Sequence, residues 1–142
     1  MEVYDRPATE FVGSFIGNPP MNFLDGVVHV DGSAVNAIIG DHLIPAPESL
    51  RANDGQPVLV GIRAENIVAE EKVTEGGLVA NTVVVEPLGS HLLVTSEIGS
   101  QRLKVMARAD AAVKPHDKLW LVPEQDKIRW FDKETGLELL NA

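Results

Sequence analysis

Residues 11–24 read FVGSFIGNPPMNFL, and this stretch separates two kinds of sequence. The apolar residues from Phe11 to Ile16 fall on one face of a helix. Gly17 can adopt the left-handed conformation that ends a helix, and Asn18 with the prolines at 19 and 20 prevents its continuation. The stretch therefore predicts a short helix, a stop and a rigid bend that leads into a β domain.

The sequence after this bend has the pattern of an all-β domain. Strand-like runs recur about every 8–12 residues with turn residues between them, which is typical of a barrel or sandwich. A hairpin is predicted over residues 23–39, with Asp-Gly-Ser as its turn. Residues 78–86 form the longest β-rich run, and simple alternation places Val79, Val83 and Val85 on one face.

Further runs give more specific expectations about the strands. Residues 69–77 read as a charged connection that ends in two glycines. Residues 101–107 alternate between apolar and polar side chains, which predicts a half-buried strand. Residues 118–122 and 127–131 are expected to pair with each other as the last two strands.

The composition limits the kinds of partner. The chain has 142 residues, of which 44 % are hydrophobic, and this suits one domain or two small subdomains. The net charge of −9 repels nucleic acid and anionic lipid, so we expect no nucleic-acid partner. There is no cysteine for a disulfide or a thiolate metal site. No apolar run approaches the roughly 20 residues that span a bilayer.

No catalytic or cofactor-binding motif occurs in the sequence. The glycine-rich GxxxxGK[ST] loop that holds nucleotide phosphates is missing, and no serine lies in a GxSxG turn. The histidines are too scattered to predict a zinc site, which needs several converging ligands. They are His29, His42, His91 and His116. We therefore expect no catalytic residue, no metal and no cofactor in this chain.

Three motifs, in order along the chain, resemble sugar-importer ATPases of the ABC transporter superfamily. Residues 3–24 resemble the junction between the ATPase domain and a C-terminal regulatory domain, residues 61–66 resemble the GIRPE motif with Ala64 in place of proline, and residues 83–89 resemble VVExLG. Among these importers the chain most resembles the glycerol-3-phosphate type. The junction motif consists of Gly17, Asn18, Pro20, Met21 and Asn22.

This resemblance implies a domain organisation. Residues 1–22 would be the terminal helix and linker of an ATPase domain that lies outside this chain. Residues 23–142 would form an all-β regulatory domain of two small interleaved OB-like barrels. One barrel would take residues 23–75 plus 116–131, because in the family the last strands return to the first barrel, and the other would take residues 76–115.

The resemblance also implies a function. The chain would be a regulatory and dimerising module without catalysis of its own, while the parent subunit would hydrolyse ATP with Mg²⁺. Its partners would be a second copy, the ATPase domain of the same chain, the permease subunits and a regulatory protein. It would lie in the cytoplasm, peripheral to the inner membrane. The alternative is a free-standing OB-type module that binds an oligosaccharide or nucleic acid.

Six residues are candidates for the interface. Arg63 and Glu65, which flank Ala64, could form an ion pair or contact a partner. The turn at Leu88 and Gly89 and the aromatic pair Trp130 and Phe131 are the others. Of the two aromatics, Phe131 is expected to be the exposed anchor, by resemblance to the family's contact surface, whereas a core position is favoured for one tryptophan.

Related small barrels bind oxyanions through a SARN-like turn. This chain has Ala-Arg-Ala-Asp at residues 107–110 instead. The carboxylate of Asp110 would repel an anion, so we expect no oxyanion site there.

Overall fold

A computed structural model describes residues 21–139, where ten strands form two antiparallel sheets. The helix predicted before residue 17, and the junction residues Gly17, Asn18 and Pro20, lie outside the described residues. The first sheet has the order β10-β4-β1-β2-β3 and the second β5-β9-β6-β7-β8. The strands are β1 (Met21–Asp31), β2 (Ala34–Ile39), β3 (His42–Pro45), β4 (Pro57–Arg63), β5 (Ile67–Glu70), β6 (Leu78–Pro87), β7 (His91–Ile98), β8 (Gln101–Arg108), β9 (Lys118–Pro123) and β10 (Arg129–Asp132). Short 3-10 helices span Glu48–Asn53, Ala64–Asn66 and Gln125–Lys127.

The expected all-β class with OB-like curled sheets is confirmed, and so is the first hairpin. Asp31 pairs with Ala34, which leaves a two-residue turn at Gly32 and Ser33. Gly32 has a φ of +62°, a conformation that glycine adopts without steric cost. The sequence signal was strong here because turn and strands are adjacent in the chain.

The two sheets share one hydrophobic core. Leu24 and Val60 from the first sheet belong to the same buried cluster as Val94 and Leu121 from the second. The alternation predicted for β8 is confirmed, since Leu103 and its odd-numbered neighbours pack on this core while the even-numbered side chains face outward. Burial of apolar area at about 25 cal/mol per Å² is the main force that holds such a core together.

The last two strands do not pair with each other, contrary to the prediction. β9 lies between β5 and β6, whereas β10 pairs with β4 in the other sheet. The connection between them contains the 3-10 helix Gln125–Lys127, and the N–H of Glu124 donates to the carbonyl of Asn66 at 2.9 Å. This connection carries the chain from one sheet to the other, which a local strand pattern cannot reveal.

β5 was not predicted, because its residues were assigned partly to a charged connection. Residues 67–70 nevertheless pair with β9. The predicted first subdomain includes the residues of both strands, whereas the strand order places β5 and β9 in the second sheet. Where one folding unit ends and the other begins stays a prediction.

A β-bulge changes the faces of β6. The register passes from the pair Thr82 and Ser96 to the pair Val84 and Thr95, so that Val83 is the additional residue. Before the bulge the even-numbered Leu78 and Ala80 are buried, whereas after it the odd-numbered Val85 packs against the core. The prediction that Val79 shares a face with Val85 is therefore wrong, because an extra residue reverses the alternation.

Candidate interface and binding cleft

Asn22 joins the two sheets. Its Nδ2 donates to the carbonyl of Lys104 at 2.7 Å and to the carbonyl of Ile62 at 3.1 Å, and its Oδ1 accepts from the N–H of Lys104 at 2.6 Å. The residue is buried, with 8 % of its surface exposed. A side-chain amide that exchanges a donor and an acceptor with one residue imitates the neighbouring strand of a ladder. This part of the junction motif is thus a structural element of the β domain.

A second amide repeats the arrangement from the opposite direction. Gln101 on β8 accepts from the N–H of Asp25 at 2.6 Å through Oε1 and donates to its carbonyl at 3.3 Å through Nε2. A third link joins β3 to β6, where the N–H of Val79 donates to Nε2 of His42 at 3.2 Å. The two sheets are therefore tied together by side chains in addition to the shared core.

A cleft of about 600 Å³ lies beside β5 and β8, the two edge strands of the second sheet. Its walls are mainly apolar and include small side chains. The lining residues are Glu65, Ile67, Val68, Ala69, Glu71, Met106, Ala107, Arg108, Asp110, Ala111, Ala112 and Val113. Sequence reasoning missed this cleft, since its two walls lie about forty residues apart in the chain.

The charged groups of the cleft give it a negative balance. Arg108 and Asp110 form a bidentate ion pair, in which Nε donates to Oδ1 at 3.1 Å and Nη2 donates to Oδ2 at 3.0 Å. Their side chains are 85 % and 71 % exposed, so the pair contributes at most about 1 kcal/mol to stability. Glu65 and Glu71 add two carboxylates among the described lining residues. The cleft thus favours a positively charged ligand group over an anion.

Of the predicted interface residues, Glu65 reaches this cleft. It is exposed in the 3-10 helix Ala64–Asn66, while Ala64 beside it is fully buried. Arg63 ends β4 and is half-buried. The role of both residues in contacts with a partner stays a prediction.

Leu88 and Gly89 form the tip of the β6–β7 hairpin. Leu88 is 48 % exposed, and its N–H donates to the carbonyl of His91 at 2.9 Å, which closes the turn. Gly89 has a φ of +89°, so a larger residue would be strained there. An exposed leucine on a rigid turn stays a candidate for the interface.

Trp130 and Phe131 are both buried, so the expectation that Phe131 is an exposed anchor is wrong. Phe131 has no exposed surface, and its ring lies edge-on to that of Phe23 with centroids 5.7 Å apart. A Cβ on Gly61 would approach the Phe131 ring to 3.0 Å, so this glycine leaves room for the ring. The core position favoured for one tryptophan is confirmed by Trp130, which is 2 % exposed.

Residues 137–139 explain part of this burial. Glu138 forms a β-bridge with Phe131, and the N–H of Leu139 donates to the carbonyl of Trp130 at 2.7 Å. The chain therefore folds back along β10 and covers a strand that the sequence alone presented as an edge. Two of the six predicted interface residues, Trp130 and Phe131, are therefore buried in the domain and present no surface to a partner.

The described residues contain no group of three or more histidine and carboxylate side chains arranged to hold a metal ion. In the same part of the chain, no helix has the length and apolar character needed to cross a membrane.

Two protein families match the chain. The MalK OB fold domain matches residues 17–67, and the TOBE domain matches residues 60–131. The two matches overlap at residues 60–67, which contain the end of β4, the 3-10 helix Ala64–Asn66 and the start of β5. The division between the families thus falls where the chain passes from the first sheet to the second.

Curated relatives match nearly the whole chain. The sn-glycerol-3-phosphate import ATP-binding protein UgpC of Salmonella typhimurium is 35 % identical over 136 residues, which cover 96 % of this chain and 38 % of that protein. The trehalose/maltose import ATP-binding protein MalK of Thermococcus litoralis is 36 % identical over 143 residues, with coverages of 95 % and 38 %. The ABC transporter ATP-binding protein y4oS of Sinorhizobium fredii is 35 % identical over 147 residues, with coverages of 98 % and 36 %. The chain thus spans little more than a third of the length of these relatives.

A solved structure has a similar fold. The molybdate-bound crystal structure of the cytoplasmic molybdate-binding protein ModG superposes with a TM-score of 0.64 and covers 77 % of this chain and 94 % of its own. The sequence identity is 17 %, so the likeness concerns the fold alone. The family assignment rests instead on the sequence matches, because the TOBE match alone covers half of the chain. The chain therefore belongs to the TOBE-domain family, with a MalK OB fold domain preceding and overlapping the TOBE domain in its sequence.

Proposed function

We propose that this chain is the C-terminal regulatory and dimerising domain of the ATP-binding subunit of an ABC importer for sugars or glycerol-3-phosphate. The observation that supports this most directly is the match of both families in order, together with relatives named as import ATP-binding proteins. The parent subunit would bind ATP and Mg²⁺ and hydrolyse ATP. The domain itself would take no part in catalysis, since its sequence has no phosphate-binding loop.

We infer the partners and the cellular location of the domain from the same assignment. The domain would be attached to the ATPase domain of its own chain, and the parent would work with permease subunits at the cytoplasmic face of the inner membrane. A regulatory protein would be a further partner. Nucleic acid is not expected, because the net charge of −9 repels it.

Self-association would use the tip of the β6–β7 hairpin. Leu88 is exposed there, and Val84 on the same hairpin is 47 % exposed. In a two-fold contact the same patch occurs on both copies, so one exposed apolar residue is used twice. Leu88 takes the place of the buried Phe131 as the proposed anchor.

Calorimetry with Mg-ATP tests the proposed absence of nucleotide binding. We expect no heat of binding up to millimolar ATP, because the sequence lacks the phosphate-binding loop whose backbone amides and lysine hold the nucleotide phosphates. A magnesium-dependent heat with micromolar affinity would contradict the proposal.

Sedimentation at several protein and salt concentrations tests the proposed dimer. We expect weak association that strengthens with salt, since salt screens the repulsion between two chains of charge −9. Leu88→Asp should shift the equilibrium to monomer, whereas Leu43→Asp, at a residue of β3 that is 56 % exposed, should not. A wild-type chain that stays monomeric at high protein and salt would refute dimerisation, and equal effects of the two variants would refute the hairpin as its surface.

A further inference from the structure

The second sheet has two edges that do not pair with each other. Its order is β5-β9-β6-β7-β8, and no strand pairing joins β5 to β8 within residues 21–139. The two strands nevertheless contact each other, and the cleft is lined by residues 67–69 of one and 106–108 of the other. Unpaired strand edges carry backbone donors and acceptors that can bind another strand.

Met106 lines the cleft, and the pairing of β8 directs its backbone N–H and carbonyl away from β7. The N–H and the carbonyl of Lys104 point away from β7, since both bond to the side chain of Asn22. In an antiparallel ladder, residues two apart direct these groups the same way, so Met106 shares the direction of Lys104. Arg108 follows the same rule, because its carbonyl accepts the N–H of Ala111 at 3.0 Å. Met106 is therefore the outward-facing residue of β8 between two that are already bonded.

The side chains around Met106 leave space and supply charge. Ala69, Ala107 and Ala111 are small, and Glu65 and Glu71 provide carboxylates among the lining residues. The cavity volume of about 600 Å³ falls in the range of ligand sites. An entering chain would meet backbone groups on β8, apolar walls and a negative rim.

We propose that this cleft binds an extended segment of a partner protein, carrying lysine or arginine, as an added strand along β8 at Met106. Main-chain hydrogen bonds would supply affinity, and the carboxylates would select basic side chains. The bound Asn22 amide at Lys104 shows that the adjacent part of this edge accepts a strand-like partner. The inference goes beyond the importer assignment and does not depend on it.

The test uses the isotopically labelled chain and a synthetic peptide of sequence Gly-Lys-Val-Thr-Val-Lys-Gly with blocked ends. In an NMR titration we expect a saturable shift of the Met106 amide and slower hydrogen exchange at that amide. Two control peptides separate the contributions. One carries N-methyl groups on all of its residues, which removes the N–H donors of both strand edges, and the other has glutamate in place of both lysines. We expect no binding of the first, and about tenfold weaker binding of the second, which corresponds to roughly one charge contact.

Variants of the chain test the same geometry from the protein side. Glu65→Lys and Glu71→Lys should each weaken binding of the basic peptide, while Glu48→Lys, an exposed acid outside the cleft, should leave it unchanged. Met106→Pro should abolish binding, because it removes the outward N–H, and an edge strand tolerates proline at such a position. If Met106→Pro fails to fold, the N-methylated peptide gives the same information. Absence of binding at millimolar peptide, equal binding of the methylated peptide, or equal binding of the acidic peptide would each overturn the proposal.

Discussion

The outer edge of β8 has two halves that differ in how they are covered. Residues 101–104 lie against β1, through Asn22 and through the side chain of Gln101 on Asp25. Residues 106–108 face the cleft and have no neighbouring strand among the described residues. Within residues 21–139, one continuous strand is thus sealed at its start, residues 101–104, and open at its end, residues 106–108.

The difference shows that side-chain amides, and not a continued ladder, close this edge. An amide covers one residue at a time, and among residues 21–139 the last residue of β8 covered in this way is Lys104. A full strand would have covered both halves. Within the same residues, the open half of the edge therefore begins after Lys104.

The largest effect should come from removing the amide of the sealed half. Asn22→Ala leaves the part-buried N–H and carbonyl of Lys104 and the buried carbonyl of Ile62 without this partner. We expect a loss of about 2–4 kcal/mol in the free energy of unfolding, measured by urea denaturation. Asn36→Ala, on the neighbouring β2, should change it by no more than about 0.5 kcal/mol.

Hydrogen exchange on the same variant sharpens the comparison. The amide of Lys104 should lose its protection in Asn22→Ala, while the amide of Met106, which already faces the cleft, should change little. Equal changes at both amides would show that the variant loosens the whole strand, and the division into two halves would then be wrong.

A smaller effect is expected at Gln101. Its hydrogen bonds to the backbone of Asp25 are exposed, so water can replace them when the side chain is removed. Gln101→Ala should cost about 1 kcal/mol or less in the same urea experiment, and Gln125→Ala, at an exposed position in a 3-10 helix, serves as the control. A loss as large as that of Asn22→Ala would mean that burial does not explain the difference between the two amides.

The open half should tolerate the loss of its ion pair. Arg108→Ala removes a pair whose two side chains are mostly exposed, so the free energy of unfolding should fall by no more than about 0.5 kcal/mol. The measurement is again urea denaturation, with Arg102→Ala as the matched change in the sealed half, where Arg102 pairs with Glu97 at 2.8 Å. A loss of several kcal/mol for Arg108→Ala alone would show that the open half depends on this pair for its structure.

The smallest expected change in stability concerns the ion pair of Glu48 and Arg51, which lies away from β8. The hydrogen bond from Arg51 lowers the pKa of Glu48 below its ordinary value of 4.5, with a further contribution from the charge of Arg51, while desolvation opposes the shift. Because the pKa of Glu48 is lower in the folded chain than in the unfolded chain, the ionised Glu48 stabilises the fold fully above about pH 4.5. This stabilisation is lost as the pH falls through the pKa of Glu48 in the folded chain. The stability difference between wild type and Glu48→Gln should be constant at neutral pH and shrink below pH 4.5. A difference that grows on acidification would contradict this sign.

Local patterns in the sequence predicted the parts of the fold that depend on neighbouring residues. The turn at Gly32 and the alternation in β8 are examples, because both are decided within a few residues. The strands that β9 and β10 pair with could not be predicted, since each of the two has its partner far away in the chain. The bulge at Val83 was missed for another reason: one extra residue leaves no signal in a run of valines.

The site was less predictable than the fold. Glu65 was selected from a motif and does line the cleft, but the opposite wall at residues 106–113 was not connected with it. Phe131 was placed on the surface by resemblance to the contact surface of the importer family, and that resemblance carries no information on what covers the residue in this chain. The return of residues 137–139 along β10 reverses that conclusion, and no local pattern announces it.

The hydrogen bonds between Asn22 and Lys104 join residues that are 82 positions apart in the chain. Contacts of such long range are slow to form, because a large loop must close before the bonds compensate its entropy. During synthesis, β1 leaves the ribosome long before its partner on β8 exists. We therefore expect the hydrogen bonds of Asn22 to form late in folding, because the chain must reach residue 104 before they can form. A nascent chain that stops before residue 104 has both of its future sheets in part but lacks the hydrogen bonds that Asn22 makes between them.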